Sequence, residues 1–348
     1  MPDISLNIYS SVEIAQVLQQ DERFQFKPLL SSFFDTFYQS QTNVIMYEKI
    51  SSNRSIAPLV IPEAVGMPTK RNDSEAISFP TGYIKLRDRI DPSSLTSRTA
   101  GEALMGSLTM EERFAKSVAE LTVDHYLRCL RLQEVMAAEI LRTGKLVLES
   151  EKFPKTTLDF RRDASKTVVL SGAALWSAST GTPAKNLEAW ISAASRPIKA
   201  VVFSQTAWDA FKADPVVEKW TNTLYAGEVS ALAKSLLQKA DLAENDMIRV
   251  GAMPNSGVEF FVYKGTYVDN AGVERPYLAD GELVGVPSPK LGVTAYGAIM
   301  DYEASFAATP YYSKMWADKD LGSPVLLTQS APVLLHLSPN ATFYAKVL

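Results

Sequence analysis

The stretch from Met110 to Arg142, MEERFAKSVAELTVDHYLRCLRLQEVMAAEILR, is the longest uninterrupted helical pattern in the chain. It contains neither Pro nor Gly, and apolar or near-apolar residues recur in alternating steps of four and three, which is the period of an α-helix. These residues are Met110, Phe114, Val118, Leu121, His125, Cys129, Leu132, Met136 and Ile140. Thr109 with Glu112 predicts a capping box, and Gly144 predicts a left-handed C-cap. Such a helix is roughly 50 Å long, so we expect other elements to lie along it.

Length and composition restrict the class of protein. The 348 residues, of which 46% are hydrophobic, suffice for a sizeable core, and the length suggests two domains. Basic and acidic residues are mixed and the net charge is -4, so the chain lacks the basic stripe of a DNA-binding protein. The start of the chain does not resemble a secretory signal, no apolar run is long enough to span a membrane, and the single cysteine fits a reducing compartment. We therefore expect synthesis in the cytosol.

The chain before the long helix carries apolar sequence with little polar cover. Residues 1–40 contain one predicted short helix, 12–20, followed by an aromatic cluster that includes Phe24, Phe26, Phe33 and Phe34. Two interpretations stay open for this arm: it folds onto its own core, or it lies across a neighbouring subunit. Residues 44–92 predict a long two-stranded excursion with its tip at 66–75. Isolated ribbons of this kind are marginally stable in water, so we expect it to pack on something else.

After the long helix the pattern changes twice. Residues 145–162 predict a hairpin that turns at 152–155, and a connection rich in Ser, Gly and Thr occupies 163–183. From Ala184 helices alternate with strands, which predicts a mixed α/β domain of about 130 residues. Its predicted helices are 185–195, 206–214 and 229–241, and its predicted strands are 198–204, 247–253, 258–268, 282–289 and 292–302. Strand-like segments at the C-terminus, 324–337 and 342–348, are expected to return beside the long helix.

The sequence offers few candidates for catalysis, and it predicts no catalytic, cofactor-binding or metal-ligating residue. His125 and His336 lie in apolar patterns without a second ligand at metal spacing, so we interpret both as core histidines, and Cys129 as a core residue. Asp301 and Glu303 form the one carboxylate pair that we considered for acid–base chemistry, although such pairs arise by chance among 39 acidic residues. Nucleotide-binding and nucleophile-elbow motifs are not found.

The order of these parts, together with five local segments, resembles one protein family. The segments are DERFQFKPLLSSFF (21–34), FPTGYIK (79–85), AVVFSQTAWDAF (200–211), AYGAIMDYEA (295–304) and LLTQSAPVLLHLSPNATFYAKVL (326–348). They resemble the lambda-type major capsid proteins of tailed phages, which have the HK97-type fold. The resemblance extends over nearly the whole chain, and each segment alone is weakly specific. It implies an α+β fold and a shell-forming structural protein that is not an enzyme.

The resemblance also implies a division of the chain. Residues 1–40 would be the N-terminal arm and 41–108 the extended loop and its linker. Residues 109–183 would form the peripheral domain, 184–321 the axial domain, and 322–348 strands that return to the peripheral domain. The helix 110–142 would be the spine helix, with Phe114, Leu121, Leu127, Leu132 and Met136 along it. Contacts with neighbouring subunits would include Phe24, Phe26, Phe33, Phe34, Phe79 and Tyr83.

The implied partners follow from the same resemblance. The chain would assemble with itself into hexamers and pentamers of an icosahedral virion shell that encloses double-stranded DNA without reading its sequence. A scaffold protein, a portal and a decoration protein would be further partners, and no membrane or cofactor would be involved. Two alternatives remain at this point: an encapsulin-like compartment with a protein cargo, and a cytosolic α/β enzyme that uses the Asp301 and Glu303 pair.

Overall fold

The structure is a computed structural model that describes residues 9–11, 13–14, 33–50, 74–92, 109–150, 153–218, 247–253, 256–287, 292–318 and 322–348. Several predictions lie outside these residues: Phe24 and Phe26, most of the helix 12–20, most of the loop tip 66–75, the linker 93–108 and the helix 229–241.

Eighteen strands and three α-helices lie wholly within the described residues. The helices are α1 (Met110–Thr143), α2 (Pro183–Ala193) and α3 (Gln205–Lys212). The strands before α2 are β1 (Thr36–Gln39), β2 (Val44–Ile50), β3 (Ser74–Pro80), β4 (Ile84–Arg89), β5 (Lys145–Ser150), β6 (Phe153–Asp159) and β7 (Thr167–Val169). Those after it are β8 (Ile198–Phe203), β9 (Met247–Ala252), β10 (Glu259–Tyr263), β11 (Thr266–Val268), β12 (Glu274–Pro276), β13 (Glu282–Pro287), β14 (Gly292–Tyr296), β15 (Tyr312–Asp318), β16 (Ser323–Ser330), β17 (Pro332–His336) and β18 (Phe343–Lys346).

The long helix α1 has the predicted limits to within one residue. The Thr109 hydroxyl accepts from the Glu112 amide at 3.2 Å, and the Glu112 carboxylate accepts from the Thr109 amide at 2.7 Å. Together they satisfy donors that the first turn leaves unpaired. At the other end Gly144 has φ 72°, a left-handed conformation that costs little without a Cβ. The predicted capping box and C-cap are therefore both confirmed.

Burial along α1 differs between its two halves. As far as Cys129 the buried apolar side chains form a stripe that includes Phe114 and Val118, as predicted, and Leu121 and Leu127 are half-buried. Met110 and Leu132, which the pattern placed on that stripe, are exposed. Beyond Leu132 the buried residues no longer follow a single stripe, because the C-terminal third of α1 is covered on more than one side. Its buried residues include Gln133, Glu134, Met136, Ala137, Ala138, Ile140 and Leu141.

The largest sheet is covered on both faces by the chain itself. Its strand order is β7-β18-β13-β8-β10-β9. Alternate residues of β8 enter two different cores: Val202 packs with the C-terminal third of α1, whereas Val201 and Phe203 pack with α2 and α3. Because both faces are covered, the central strand β13 is buried along its whole length rather than at alternate residues.

The smaller sheets pack against different parts of α1. The sheet β15-β16-β4 packs with the N-terminal half, at Phe114 and Val118, and the sheet β1-β14-β17 packs with the C-terminal third, at Met136 and Ile140. Strands β2 and β3 pair only with each other, as do β5 with β6 and β11 with β12, within the described residues. The ribbon β2–β3 is the base of the predicted extended loop, and β4 then leaves it to pair antiparallel with β16.

Three details of the predicted secondary structure are wrong. The connection 163–183 contains β7, which pairs in parallel with β18. Strand β18 lies inside the large sheet, and the predicted domain boundary at 321/322, which stays a prediction, falls between the paired strands β15 and β16. The strand predicted over 292–302 ends at Tyr296, because Gly297 turns against Thr81, whose Oγ1 would lie 2.7 Å from a Cβ there. The second strand of the hairpin already begins at Phe153.

Candidate assembly surface

The carboxylate pair that we considered for catalysis is held by a lysine. Lys314 Nζ lies 2.8 Å from Asp301 Oδ2 and 2.9 Å from Glu303 Oε2, and the Gln329 amide donates to Asp301 at 2.6 Å. Burial by itself raises the pKa of Asp301, but the hydrogen bonds from Lys314 and Gln329 outweigh it and leave the pKa below its usual value. Lys314 thus holds the two carboxylates in one ion-paired group.

His125 is a buried linker between α1 and two strands. Its side chain is fully buried, with Nε2 2.7 Å from Asp88 Oδ2 on β4 and Nδ1 2.9 Å from Thr328 Oγ1 on β16. Thr328 in turn contacts the Ser313 hydroxyl of β15 at 2.9 Å. Both ring nitrogens are thus hydrogen-bonded, which confirms the interpretation of His125 as a core histidine. The group fixes β4 to the middle of the helix.

His336 is a core histidine with one unpaired nitrogen. Its Nε2 lies 3.1 Å from the hydroxyl of Thr342, which itself donates to the Pro339 carbonyl, so the ring is the donor. Nδ1 has no hydrogen-bonding partner among the described residues. Burial, with a smaller contribution from the charge of Arg162, lowers the pKa of His336 to about 3. The ring is therefore neutral at physiological pH.

Cys129 and possible metal ligands were the remaining candidates for a reactive site in the described part of the chain. Cys129 is buried, and burial raises the pKa of its thiol to about 12, which keeps it from being a nucleophile near neutral pH. Among the residues that the structure describes, no group of three His, Cys, Asp or Glu side chains could hold a metal ion. None of the described helices is both long and apolar enough to cross a membrane.

The C-terminal end of α1 is fastened to the large sheet by polar contacts that sequence reasoning missed. Arg142 Nε lies 2.6 Å from the buried Glu282 on β13, and the Tyr344 hydroxyl of β18 donates to the same carboxylate at 2.7 Å. Arg162 donates to the carbonyls of Leu141 and Arg142, each at 2.5 Å, where the helix leaves them unpaired. Each contact joins residues more than 19 positions apart, so a local sequence pattern could not predict it.

The six predicted contact residues divide into three groups. Phe24 and Phe26 lie outside the described residues. Phe33 is partly buried against the core, and Tyr83 is half-buried with its hydroxyl 2.6 Å from Gln329 Oε1. Phe34 and Phe79 are only 3% exposed, so their side chains are covered by their own subunit. Phe34 fits there because Gly292 has no Cβ, which would lie 2.3 Å from the Phe34 ring.

Exposed apolar side chains follow directly after the buried Phe34. We call Phe37, Tyr38, Val44 and Met46 the root patch. All four are exposed, with Phe37 at 71% and Met46 at 78%. Ile45, between Val44 and Met46, is buried, so the ribbon β2–β3 has one covered and one uncovered face at its base. A surface of this kind is typical of a contact with another protein.

Comparison with known proteins decides the family. The model of the family described as phage major capsid protein E matches residues 10–347. The chain belongs to the phage major capsid protein E family. Relatives of this capsid family include the major capsid protein of Enterobacteria phage phi80, 27% identical over 352 residues, covering 98% of this chain and all of the relative. The major capsid protein of Escherichia phage lambda is 24% identical over 349 residues, covering 96% of this chain and 98% of the relative.

A solved structure supports the same fold. The crystal structure of a prophage protein from E. coli CFT073 superposes with a TM-score of 0.72 at 20% identity, covering 98% of this chain and all of that chain. The fold class is therefore the α+β fold of HK97-type capsid proteins, as the sequence implied. The chain is a major capsid protein of a tailed phage and a component of the virion, and its family consists of structural proteins.

Proposed function

We propose that copies of this capsid protein form the hexamers and pentamers of an icosahedral shell that encloses double-stranded DNA. The family match over residues 10–347 carries the proposal, because members of a major capsid family form the shell. The net charge of -4 and the mixed charge pattern suit a container that does not bind DNA by sequence. We further propose that the chain is made in the host cytoplasm, acts without a cofactor or enzymatic activity, and cooperates with scaffold, portal and decoration proteins.

The proposed domains follow the sheets rather than the sequence boundaries. We assign the large sheet with α2 and α3 to the axial domain, and this includes β7 and β18 from outside 184–321. We assign α1, β5–β6 and the sheets β15-β16-β4 and β1-β14-β17 to the peripheral domain. The N-terminal arm and the extended loop would reach neighbouring subunits, and the root patch marks where both leave the subunit.

One substitution tests the proposed contact of the loop. Met46→Asp places a charge on the uncovered face of the ribbon, where the wild-type side chain is 78% exposed. We expect the subunit to fold normally, since exposed positions tolerate substitution, but shells should no longer form because a buried unpaired charge is unfavourable in an interface. Electron microscopy and sedimentation of particles made with the other head proteins would measure this.

The matched control is Met46→Leu, which keeps the apolar surface and should give normal shells. Normal shells from Met46→Asp would contradict the proposed contact. Absence of shells from the wild-type chain in the same system would contradict the proposed function itself.

A further inference from the structure

The loop between β14 and β15 presents a second apolar surface, separate from the root patch. Its exposed side chains are Met300, Tyr302 and Phe306, which we call the knuckle. Tyr302 is 87% exposed, the most of any large apolar or aromatic side chain in the described part of the chain. Aromatic residues with this exposure are enriched where proteins bind one another. Neither the fold nor the core of the subunit explains why they face outward.

The backbone of the knuckle is held in place by buried side chains and by a hydrogen bond within the loop. Ile299 and Ala304 of the loop are buried against Ala331, and the backbone of Ile299 pairs with Ala307 at 3.1 Å. Ser305 and Phe306 both have left-handed backbones, with φ 52° and 54°, although neither is Gly. Side chains other than Gly rarely adopt this conformation, and such strain persists where the surrounding structure imposes it, often at functional sites. A fixed surface loses little conformational entropy when it binds.

The two carboxylates at the base of the knuckle share one lysine. Lys314 contacts both Asp301 and Glu303, and Gln329 donates to Asp301 Oδ2 at 2.6 Å. These contacts hold the base of the loop within the subunit, whereas Met300, Tyr302 and Phe306 stay exposed.

The knuckle is continuous with the root of the extended loop. The Met300 amide donates to the Tyr83 hydroxyl at 3.0 Å, and Tyr83 lies between β3 and β4, where the ribbon ends. Gly297, at the start of the loop, packs against Thr81 so closely that a Cβ would lie 2.7 Å from its Oγ1. The knuckle therefore contacts the segment that connects β3 to β4, at the base of the ribbon that carries part of the root patch. The proposed contact of the ribbon with a neighbour brings the knuckle toward the same interface.

We propose that the knuckle binds a second copy of this chain in the assembled shell, with Tyr302 and Phe306 as its aromatic anchors. The inference rests on the proposed function and adds to it a contact outside the arm and the extended loop. Tyr302 is buried by the neighbour, whereas Ser305 and Phe306 hold the surface in one conformation.

Photo-crosslinking tests this partner directly. The photoreactive residue p-benzoylphenylalanine replaces Tyr302 in particles assembled from the full chain with its other head proteins, and mass spectrometry identifies the products after irradiation. We expect a covalent dimer of this chain, formed in particles and not in free subunits. A product that joins residue 302 to a different polypeptide, such as a decoration or scaffold protein, overturns the proposal, and so does the absence of any product.

A pair of substitutions measures the energetic role of the anchor. Tyr302→Asp should lower the yield of shells at least tenfold while the melting temperature of the free subunit stays that of wild type, and Tyr302→Phe should assemble normally. Full assembly of Tyr302→Asp overturns the proposal. If the wild-type chain itself forms no shells, the proposed function fails, whereas shells in which residue 302 crosslinks to no second copy contradict the knuckle contact alone.

Discussion

The large sheet and the ribbon β2–β3 differ in how much of their apolar surface the chain itself covers. The sheet has two buried faces, each packed against helices of the same subunit. The ribbon buries Ile45 and Phe79 on one face at its base and exposes Val44 and Met46 on the other. Burial of apolar surface is the main stabilising contribution to folding and to association. The sheet therefore stabilises the subunit, and the ribbon has apolar surface left for a partner.

The largest expected effect comes from a cavity in the large sheet. Phe203 is fully buried on β8, with the rings of Trp208, Phe211 and Phe260 around it at 5.2 to 5.7 Å between centroids. Phe203→Ala should lower the free energy of unfolding by about 3–5 kcal/mol. Denaturant unfolding of the free subunit measures it.

The matched exposed position is Phe37, where Phe37→Ala should change the stability of the free subunit by less than about 0.5 kcal/mol. Equal losses at the two positions would contradict the comparison between a self-covered sheet and an uncovered root patch.

A break in α1 should affect both regions at once. Leu127→Pro removes a backbone donor in the middle of the helix and clashes with the preceding turn, which should cost about 3 kcal/mol or more. Because His125 fastens β4 two residues earlier, we expect the root of the extended loop to be displaced and shells to be absent or aberrant. Circular dichroism and electron microscopy would measure the two effects.

Glu120→Gln, on the exposed face of the same helix, is the control and should assemble like wild type. Normal shells from Leu127→Pro would contradict the expectation that an unbroken α1 is needed to place the root of the extended loop.

The stability of the subunit should depend on pH through His336, which lies where the N-terminal arm meets the core. His336 lies under the Phe34 ring, at 6.1 Å between centroids, and has a pKa of about 3 when folded against an ordinary value near 6.5. The unfolded chain takes up the proton first, so stability falls as the pH drops below about 6.5 and continues to fall toward pH 3. Between pH 7 and pH 5 this group should cost about 2 kcal/mol of stability.

The pH effect is measured by denaturant unfolding of the free subunit at the two pH values, with His336→Gln for comparison. The variant should lose less stability than wild type over this interval, by the same amount. A variant with the same pH dependence as wild type would mean that the ring is not buried and neutral.

The smallest effect concerns the backbone of the knuckle. Ser305 has φ 52°, and a left-handed conformation costs residues other than Gly about 1–2 kcal/mol. Gly avoids this cost, but its greater freedom in the unfolded chain offsets part of the gain. Ser305→Gly should therefore raise the stability of the free subunit by at most about 1 kcal/mol, detected as a small rise in melting temperature. Ser305→Ala, which keeps a Cβ, should not raise it; a larger gain from Ala than from Gly would contradict the strained backbone.

The sequence by itself determined the elements whose signals are local. The limits of α1 follow from Thr109, Glu112 and Gly144, since a cap involves residues only a few positions apart. The order of arm, excursion, helix, α/β region and returning strands was enough to indicate the fold class. The interpretation of His125 as a core residue also held, because its position in the apolar period of the helix is a local property.

Only the tertiary structure decided which distant segments meet. It pairs β7 with β18 and β4 with β16, places Lys314 between Asp301 and Glu303, and sets Arg142 against Glu282. It also buries Phe34 while exposing Phe37, three residues later in the same aromatic segment. A periodic pattern shows that a side chain is apolar, but whether it is covered depends on which strand lies beside it. That choice is made by contacts between residues tens to hundreds of positions apart, which no local pattern contains.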